Sequence, residues 1–371
     1  MLITILTIIV IILLFASLVL LHEYGHFVMA RRNGVGIEEF GFGFPPKVFG
    51  RVKNGVLYSF NLLPLGGFVR MKGEDANDMS PGSFAAAPLW AKTKILLAGV
   101  VMNLLTAFIL FYALCVTGLP GLGAQFEPSF LKPSYAEPKQ LILAKVDKGS
   151  PAEQAGLKRG DFVLAFNGKP ITTDTELHDD TKVAAGKTVN LTVKQGNQTR
   201  DLTVTLRPPS AESGFLGVAS QQVYKLRYDP LQSVVAAAYI TGALLVATVV
   251  GVISLIISLP SLIAGLFSST VPAAAAAASG PVGIIVILTN ISALGWAYVL
   301  LFMANISVAL AAFNALPLPA LDGGRLFVSV LQRVTKKTWN PETEAKYHAF
   351  GFMALIGLML LISVYDVRKY F

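Results

Sequence analysis

His22-Glu23-Tyr24-Gly25-His26 sets two imidazoles four positions apart with a carboxylate between them. On a helix of 3.6 residues per turn, positions i and i+4 share a face. Both rings can therefore reach one metal ion, with Glu23 beside them to take a proton from water. Zn²⁺ suits such donors: a catalytic site takes three protein ligands and keeps one position for water. The ion acidifies that water and polarises a carbonyl. The pattern fixes only three positions and so occurs by chance in many proteins, and its two histidines leave a third ligand to be found. From Pro230 to Leu321, 92 positions pass without Asp, Glu, Lys, Arg or His, and the stretch ends at Asp322. That carboxylate closes Asn314-Ala315-Leu316-Pro317-Leu318-Pro319-Ala320-Leu321-Asp322-Gly323-Gly324. Two prolines break the apolar helix before it, and two glycines let the backbone turn sharply after it.

The elements that must carry these residues are membrane helices. The 371-residue chain is 54% hydrophobic and 14% charged, against about a quarter charged in soluble domains. This composition excludes a cytosolic enzyme, a disordered tail and a disulfide scaffold, since Cys115 is the single cysteine. Leu2–Leu21 is uncharged and long enough to cross ~30 Å of hydrocarbon, without the basic leader and small-residue cleavage site of a signal peptide. Further spans are expected at Ile95–Val116, Ala297–Pro317 and Ala349–Val364.

The net charge of +8 marks loops, not a nucleic-acid partner. Residues 31–94 carry nine Lys/Arg against five acids, and 323–347 carry five against two. The positive-inside rule places both loops in the cytoplasm. The HEYGH end of the first span and Asp322 then share a side, and 118–229 lies outside. Residues 233–267, apolar and interrupted by Pro260, are expected to be embedded without a net crossing, giving four true spans. Cysteines at Ser268 and Ser279 would then label from outside.

The fold class expected is a multi-span α-helical membrane protein with an inserted α+β domain. Its parts are 1–117 (two spans and the cytoplasmic-side loop), 139–209 (the polar domain) and 230–371 (the embedded segment, the span at 297–317 and the last at 349–364). Within 139–209, Leu141–Val146 predicts a strand and Ser150-Pro151 opens a short helix that Gly156 closes. Phe162–Phe166 followed by Asn167-Gly168 predicts a strand and tight turn. Alternation in 189–193 and 202–206 about Gly196-Asn197 predicts a hairpin.

HEYGH, NALPLPALDGG and the intervening polar domain together resemble the bacterial site-2 proteases, intramembrane zinc metalloproteases that include the regulator of sigma-E protease. The resemblance covers most of the chain. It implies one Zn²⁺ per chain on His22, His26 and Asp322, Glu23 as general base, and Asn314 as a substrate-holding residue. Gly41-Phe42-Gly43-Phe44 and Leu62-Leu63-Pro64-Leu65-Gly66-Gly67-Phe68-Val69-Arg70-Met71 are similar to the family's membrane-associated β-hairpin region. Gly66, Gly67 and Phe68 there suit an edge strand that pairs with an unwound substrate. Ala98-Gly99-Val100-Val101-Met102-Asn103 resembles a second-span motif in which Pro usually follows Gly. Ser150–Asp161 is similar to protease-associated PDZ domains, which bind peptides by strand addition or only exclude bulky ectodomains.

The resemblance further implies a multi-pass protein of the bacterial cytoplasmic (inner) membrane. The lipid bilayer and single-pass membrane-protein substrates, such as anti-sigma factors or signal-peptide remnants, are its expected partners. The PDZ domain would be extracytoplasmic and the active site near the cytoplasmic side. Two rivals remain. A serine mechanism could use Ser279 in Ala277-Ala278-Ser279-Gly280 with His348. A non-catalytic PDZ membrane adaptor or zinc carrier would have no need of Glu23.

Overall fold

The computed structural model describes residues 2–74, 78–123, 125–196, 198–208, 214–267, 272, 279–292, 295–337 and 339–370. Two compact units emerge, one of residues 1–113 with 234–371 and one of 114–233.

In the first unit, α1 (Leu2–Arg32) continues unbroken through HEYGH. Antiparallel β1 (Ile37–Lys53) and β2 (Val56–Met71) follow. Their turn is Asn54-Gly55, both at positive φ, the pairing that two-residue hairpins demand. Phe27, Ala30, Val35, Ile37, Val69, Ile95 and Leu96 form the core under this hairpin. Its distal part leaves Val48, Phe49, Val52, Leu62 and Leu63 exposed.

The second helix, α2 (Leu89–Thr117), separates its faces at a spacing of four. Asn103, Ala107, Phe111 and Cys115 are buried, while Val101, Leu105 and Ile109 are exposed, an apolar ridge suited to lipid.

The second unit contains an antiparallel sheet. β5 (Gln140–Val146), β6 (Phe162–Phe166), β8 (Thr188–Gln195) and β9 (Gln198–Thr205) run in that order, with β7 (Lys169–Pro170) on β6. The predicted strands, the Ser150 cap on α3 (Pro151–Gln154) and the Asn167-Gly168 turn are all present, while Asn197 lies outside the described residues. Two elements differ from expectation. A strand β10 (Val218–Val223) pairs with β5 beyond the anticipated boundary at 209. A helix α4 (Asp174–Val183) stands where no element was anticipated, opened by a full capping box between Thr173 and Glu176. The sheet and helices enclose Leu141, Leu143, Val163, Leu191 and Val193, each with almost no exposure, and such side chains contribute about 1.5–3 kcal/mol apiece. Short β3 (Leu119–Pro120), β4 (Tyr135–Ala136) and β11 (Lys225–Arg227) make a separate three-stranded sheet.

The chain continues with α5 (Pro230–Ile257), along which the first unit resumes at residue 234, and α6 (Leu259–Gly265). The break falls at Ser258, and Pro260 sits in the first turn of α6, where its missing N–H costs nothing. The chain then forms α7 (Pro281–Ser292), α8 (Trp296–Ala315), α9 (Asp322–Thr335) and α10 (Pro341–Tyr370). Among the described residues five helices are long and apolar enough to cross a membrane: the four anticipated spans and α5.

The two ends of α10 hold different parts of the chain. Near its start, His348 Nδ1 accepts from the Ala320 N–H at 2.9 Å. Near its finish, the Tyr365 hydroxyl donates to Leu262 O at 2.5 Å. There the buried Asp366 accepts from the Gly280 and Gly283 N–H groups at 2.9 and 2.8 Å.

Candidate metal centre

The helical period brings His22 and His26 onto one face of α1, both buried, with their rings 4.8 Å apart and nearly perpendicular. Asp322 arrives 300 positions later as the first residue of α9. Its Oδ2 lies 3.1 Å from His22 Nε2 and 3.2 Å from His26 Nε2, and the two Nε2 atoms are 3.1 Å apart. Three donor atoms thus form a nearly equilateral triangle. A tetrahedral ion with ~2.0 Å bonds needs ligands about 3.3 Å apart, so the triangle has the size and donor chemistry of one face of a zinc site. Among the described residues this is the one group of three or more such side chains that could hold a metal ion.

Each donor is aimed by a contact behind it. His26 Nδ1 lies 2.7 Å from Ile95 O; a carbonyl only accepts, so the ring proton is on Nδ1 and the Nε2 lone pair is free for a metal. His22 Nδ1 faces the Asn103 carboxamide at 3.1 Å. The two helices approach closely enough to allow this because Gly99 has no side chain: a Cβ there would stand 2.5 Å from both His22 Cε1 and His26 Nε2. Asp322 is fixed by the turn before it. Ala320 adopts φ +73° with its N–H on His348, and side chains at Gly323 or Gly324 would run into the carbonyls of Leu316 and Leu318.

Glu23 Oε2 accepts from the Val69 N–H of β2 at 3.2 Å. A cavity of about 260 Å³ opens beside it, lined by the two histidines, Asp322, Phe68, Asn314 and Arg325 among others. The structure thus brings His22, Glu23, His26, Asp322, Asn314 and Phe68 together. Gly66 and Gly67 are not among the cavity's lining residues; a Cβ on either would press on Val19 or Leu20 of α1. Asn314 donates to Leu310 O on its own helix at 3.0 Å. Sequence reading assigned no part to Asn103, though an amide inside an apolar span is a signal in itself. It also passed over the ion pair of Glu74 with Arg325 at the cavity edge.

The serine alternative loses its geometry. Ala277 and Ala278 lie outside the described residues, but Gly280 is bonded to Asp366, 18 residues along α10 from His348 and hence ~27 Å away at 1.5 Å per residue.

The profile of peptidase family M50 matches residues 10–358. A Clostridium perfringens protein with a zinc-metalloprotease name is 34% identical over 360 residues, covering 96% of each chain. Zinc metalloprotease RasP of Geobacillus kaustophilus is 28% identical, covering 97% of each. The regulator of sigma-W protease RasP of Bacillus subtilis is 26% identical, covering 98% of this chain and 99% of its own. Among solved structures, the PDZ domain of an SdrC-like protein from Listeria innocua is 21% identical over 22% of this chain and 93% of that one, at a TM-score of 0.20. With the expected motifs in place and a family match spanning nearly the whole chain, this protein belongs to peptidase family M50, the site-2 protease family.

Proposed function

We propose that His22, His26 and Asp322 hold the single Zn²⁺ of this membrane metallopeptidase and that Glu23 is its general base. The observation that carries the reading is the donor triangle, with Glu23 at its rim and a cavity beside it. The ion supplies Lewis acidity toward the scissile carbonyl. Glu23 takes a proton from water and passes it to the leaving amine, while the buried site excludes bulk water. Asn314 and Phe68 line the space a substrate backbone must enter. Beside it, β2 (bearing Gly66 and Gly67) offers an edge for an unwound segment.

The substrates are single-pass membrane proteins, in the class of anti-sigma factors or signal-peptide remnants. Glu23→Gln should retain zinc and lose cleavage of such a reporter by at least 10²-fold; Asp322→Ala should lose both. Near-parental cleavage by Glu23→Gln would remove Glu23 as the base, and absence of cleavage by the zinc-loaded parent would favour a zinc carrier or adaptor. Undiminished zinc in Asp322→Ala would remove that ligand.

The enzyme sits in the cytoplasmic membrane with its metal centre toward the cytoplasm and residues 118–229 outside. The positive loops and the contacts of α10 support this arrangement. α6 and the start of α7 are bonded to the end of α10 far from Ala320, and α7, at ~18 Å, is too short to cross. On this reading α5, though long enough, makes no crossing. A cysteine at Ser279 in a Cys115→Ala background should label from outside; cytoplasmic labelling would overturn the topology. Ser268, the companion position, lies outside the described residues. The polar domain works as a PDZ module on ectodomains or peptides. Its edge strand β10 and helix α4 flank a cavity of about 450 Å³ that His178 and Gly217 help line.

A further inference from the structure

Asn103 has no accessible surface and sits mid-helix in an apolar span, where a polar amide is costly unless its groups are satisfied. Its backbone carbonyl accepts from the Ser307 hydroxyl of α8 at 2.8 Å. Its side-chain Nδ2 stands 3.1 Å from His22 Nδ1, and its Oδ1 has no partner. The amide is therefore half satisfied, and its one contact is with the imidazole of a proposed metal ligand.

An imidazole holds one proton when neutral, and what faces Nδ1 decides where it goes. With Nδ2 toward the ring, Nδ1 must accept. The proton then rides on Nε2, directed at Asp322 Oδ2 3.1 Å away, and that nitrogen cannot bind a cation. A half-turn of the carboxamide brings Oδ1 to Nδ1 instead. Nδ1–H then donates to it, and the Nε2 lone pair joins those of His26 and Asp322. His26 lacks this choice, because the Ile95 carbonyl can only accept.

We propose that Asn103 is a positioning residue that sets the tautomer of His22, its carboxamide oxygen holding Nδ1–H while Nε2 faces the metal and its amide nitrogen supporting the opposite tautomer when the metal is gone. The inference rests on His22 being a ligand and assigns the second span a part in metal loading. Partners behind metal-binding histidines are typically worth 10–100-fold in affinity. An apolar side chain of equal size should lose that, whereas a carboxylate, which can only accept, should keep it.

Zinc affinity of the full-length protein in detergent, by competition with a chromophoric chelator, tests this. Asn103→Leu should bind 10–100-fold more weakly, and Asn103→Asp within about threefold of the parent or tighter. Parental affinity in Asn103→Leu, or an equal loss in both variants, overturns the proposal. ¹⁵N spectra of imidazole-labelled parent protein provide a test independent of any variant's folding. Removing zinc should shift the proton from Nδ1 to Nε2 on one site histidine and leave the other unchanged; Nδ1–H retained on both overturns it. His22→Ala separates the layers. If it leaves zinc affinity intact, the metal-site reading itself fails; if it abolishes binding while Asn103→Leu does not weaken it, only the inference on Asn103 fails.

Discussion

The metal centre and the polar domain hold themselves together in different ways. In the polar domain each element is stopped and started by its own neighbours. Ser150 caps α3 by accepting from the Glu153 N–H at 3.1 Å, Asn167-Gly168 turns the chain, and Thr173 with Glu176 opens α4. The metal centre has little such local punctuation. Its membrane-spanning helices α1, α2 and α8 are nearly uniform in hydrophobicity, and its precision comes from places where distant backbones touch: Gly99 against the two histidines, Gly351 against Pro319, Gly324 against Leu318. Small residues bring membrane helices together because water offers no driving force there. A change of one methyl should therefore be expensive at the metal centre, and the loss of a whole cap should be cheap and confined in the polar domain.

The harshest test of that contrast is Gly99→Ala. The added Cβ would meet His22 and His26 at 2.5 Å, so α1 and α2 must part or the rings must turn. A displacement near 1 Å costs on the order of 10²-fold in a positioned site. Zinc affinity and reporter cleavage should both fall by about that factor. Cleavage within threefold of the parent would show that the helices yield freely and that the contrast is false.

A smaller effect is expected from His348, which acts through the turn and not on the metal. His348→Leu leaves the Ala320 N–H without its acceptor, two residues before Asp322 and at a residue held with positive φ. A tenfold loss of zinc affinity, toward the lower limit for outer partners of a metal site, is the expected result. His348→Asn, which keeps an acceptor, should restore most of it. Equal loss in both variants would assign His348 to packing instead.

The same contrast explains what could be read from the amino-acid order. HEYGH declares its geometry because a helical period is local. Asp322 was found because it ends 92 uncharged positions. The hairpin strands and the polar domain's turns carry their own residue signals. What sequence alone did not yield depends on partners far along the chain. Asn103 takes its meaning from the ring it faces, and Gly99 from the helix packed on it. β10 was missed because Gln221 and Gln222 blur its alternation, so that pairing with β5 identifies it. The failure at α4 was different: Thr173-x-x-Glu176 is a legible capping signal that went unread because the helix behind it is short and polar. Pro260 was read as the break in 233–267, whereas a proline in a first turn belongs to the helix it opens.

That local capping signal also gives the mildest test. Thr173 Oγ1 accepts from the Glu176 N–H at 3.1 Å, and Glu176 Oε2 accepts from the Thr173 N–H at 3.2 Å. The N–H groups of Thr172 and Thr173, both donating to Oε2, hold the exposed Glu176 carboxyl below its usual range. Thr173→Ala removes one half of the box and should cost about 0.5–2 kcal/mol. Because the cap serves α4 alone, hydrogen exchange should quicken at the first-turn amides of that helix, while zinc affinity stays at the parental value. A loss of zinc in Thr173→Ala would mean that the polar domain and the metal centre fold as one cooperative body. Their separate ways of being held would then have no consequence for stability.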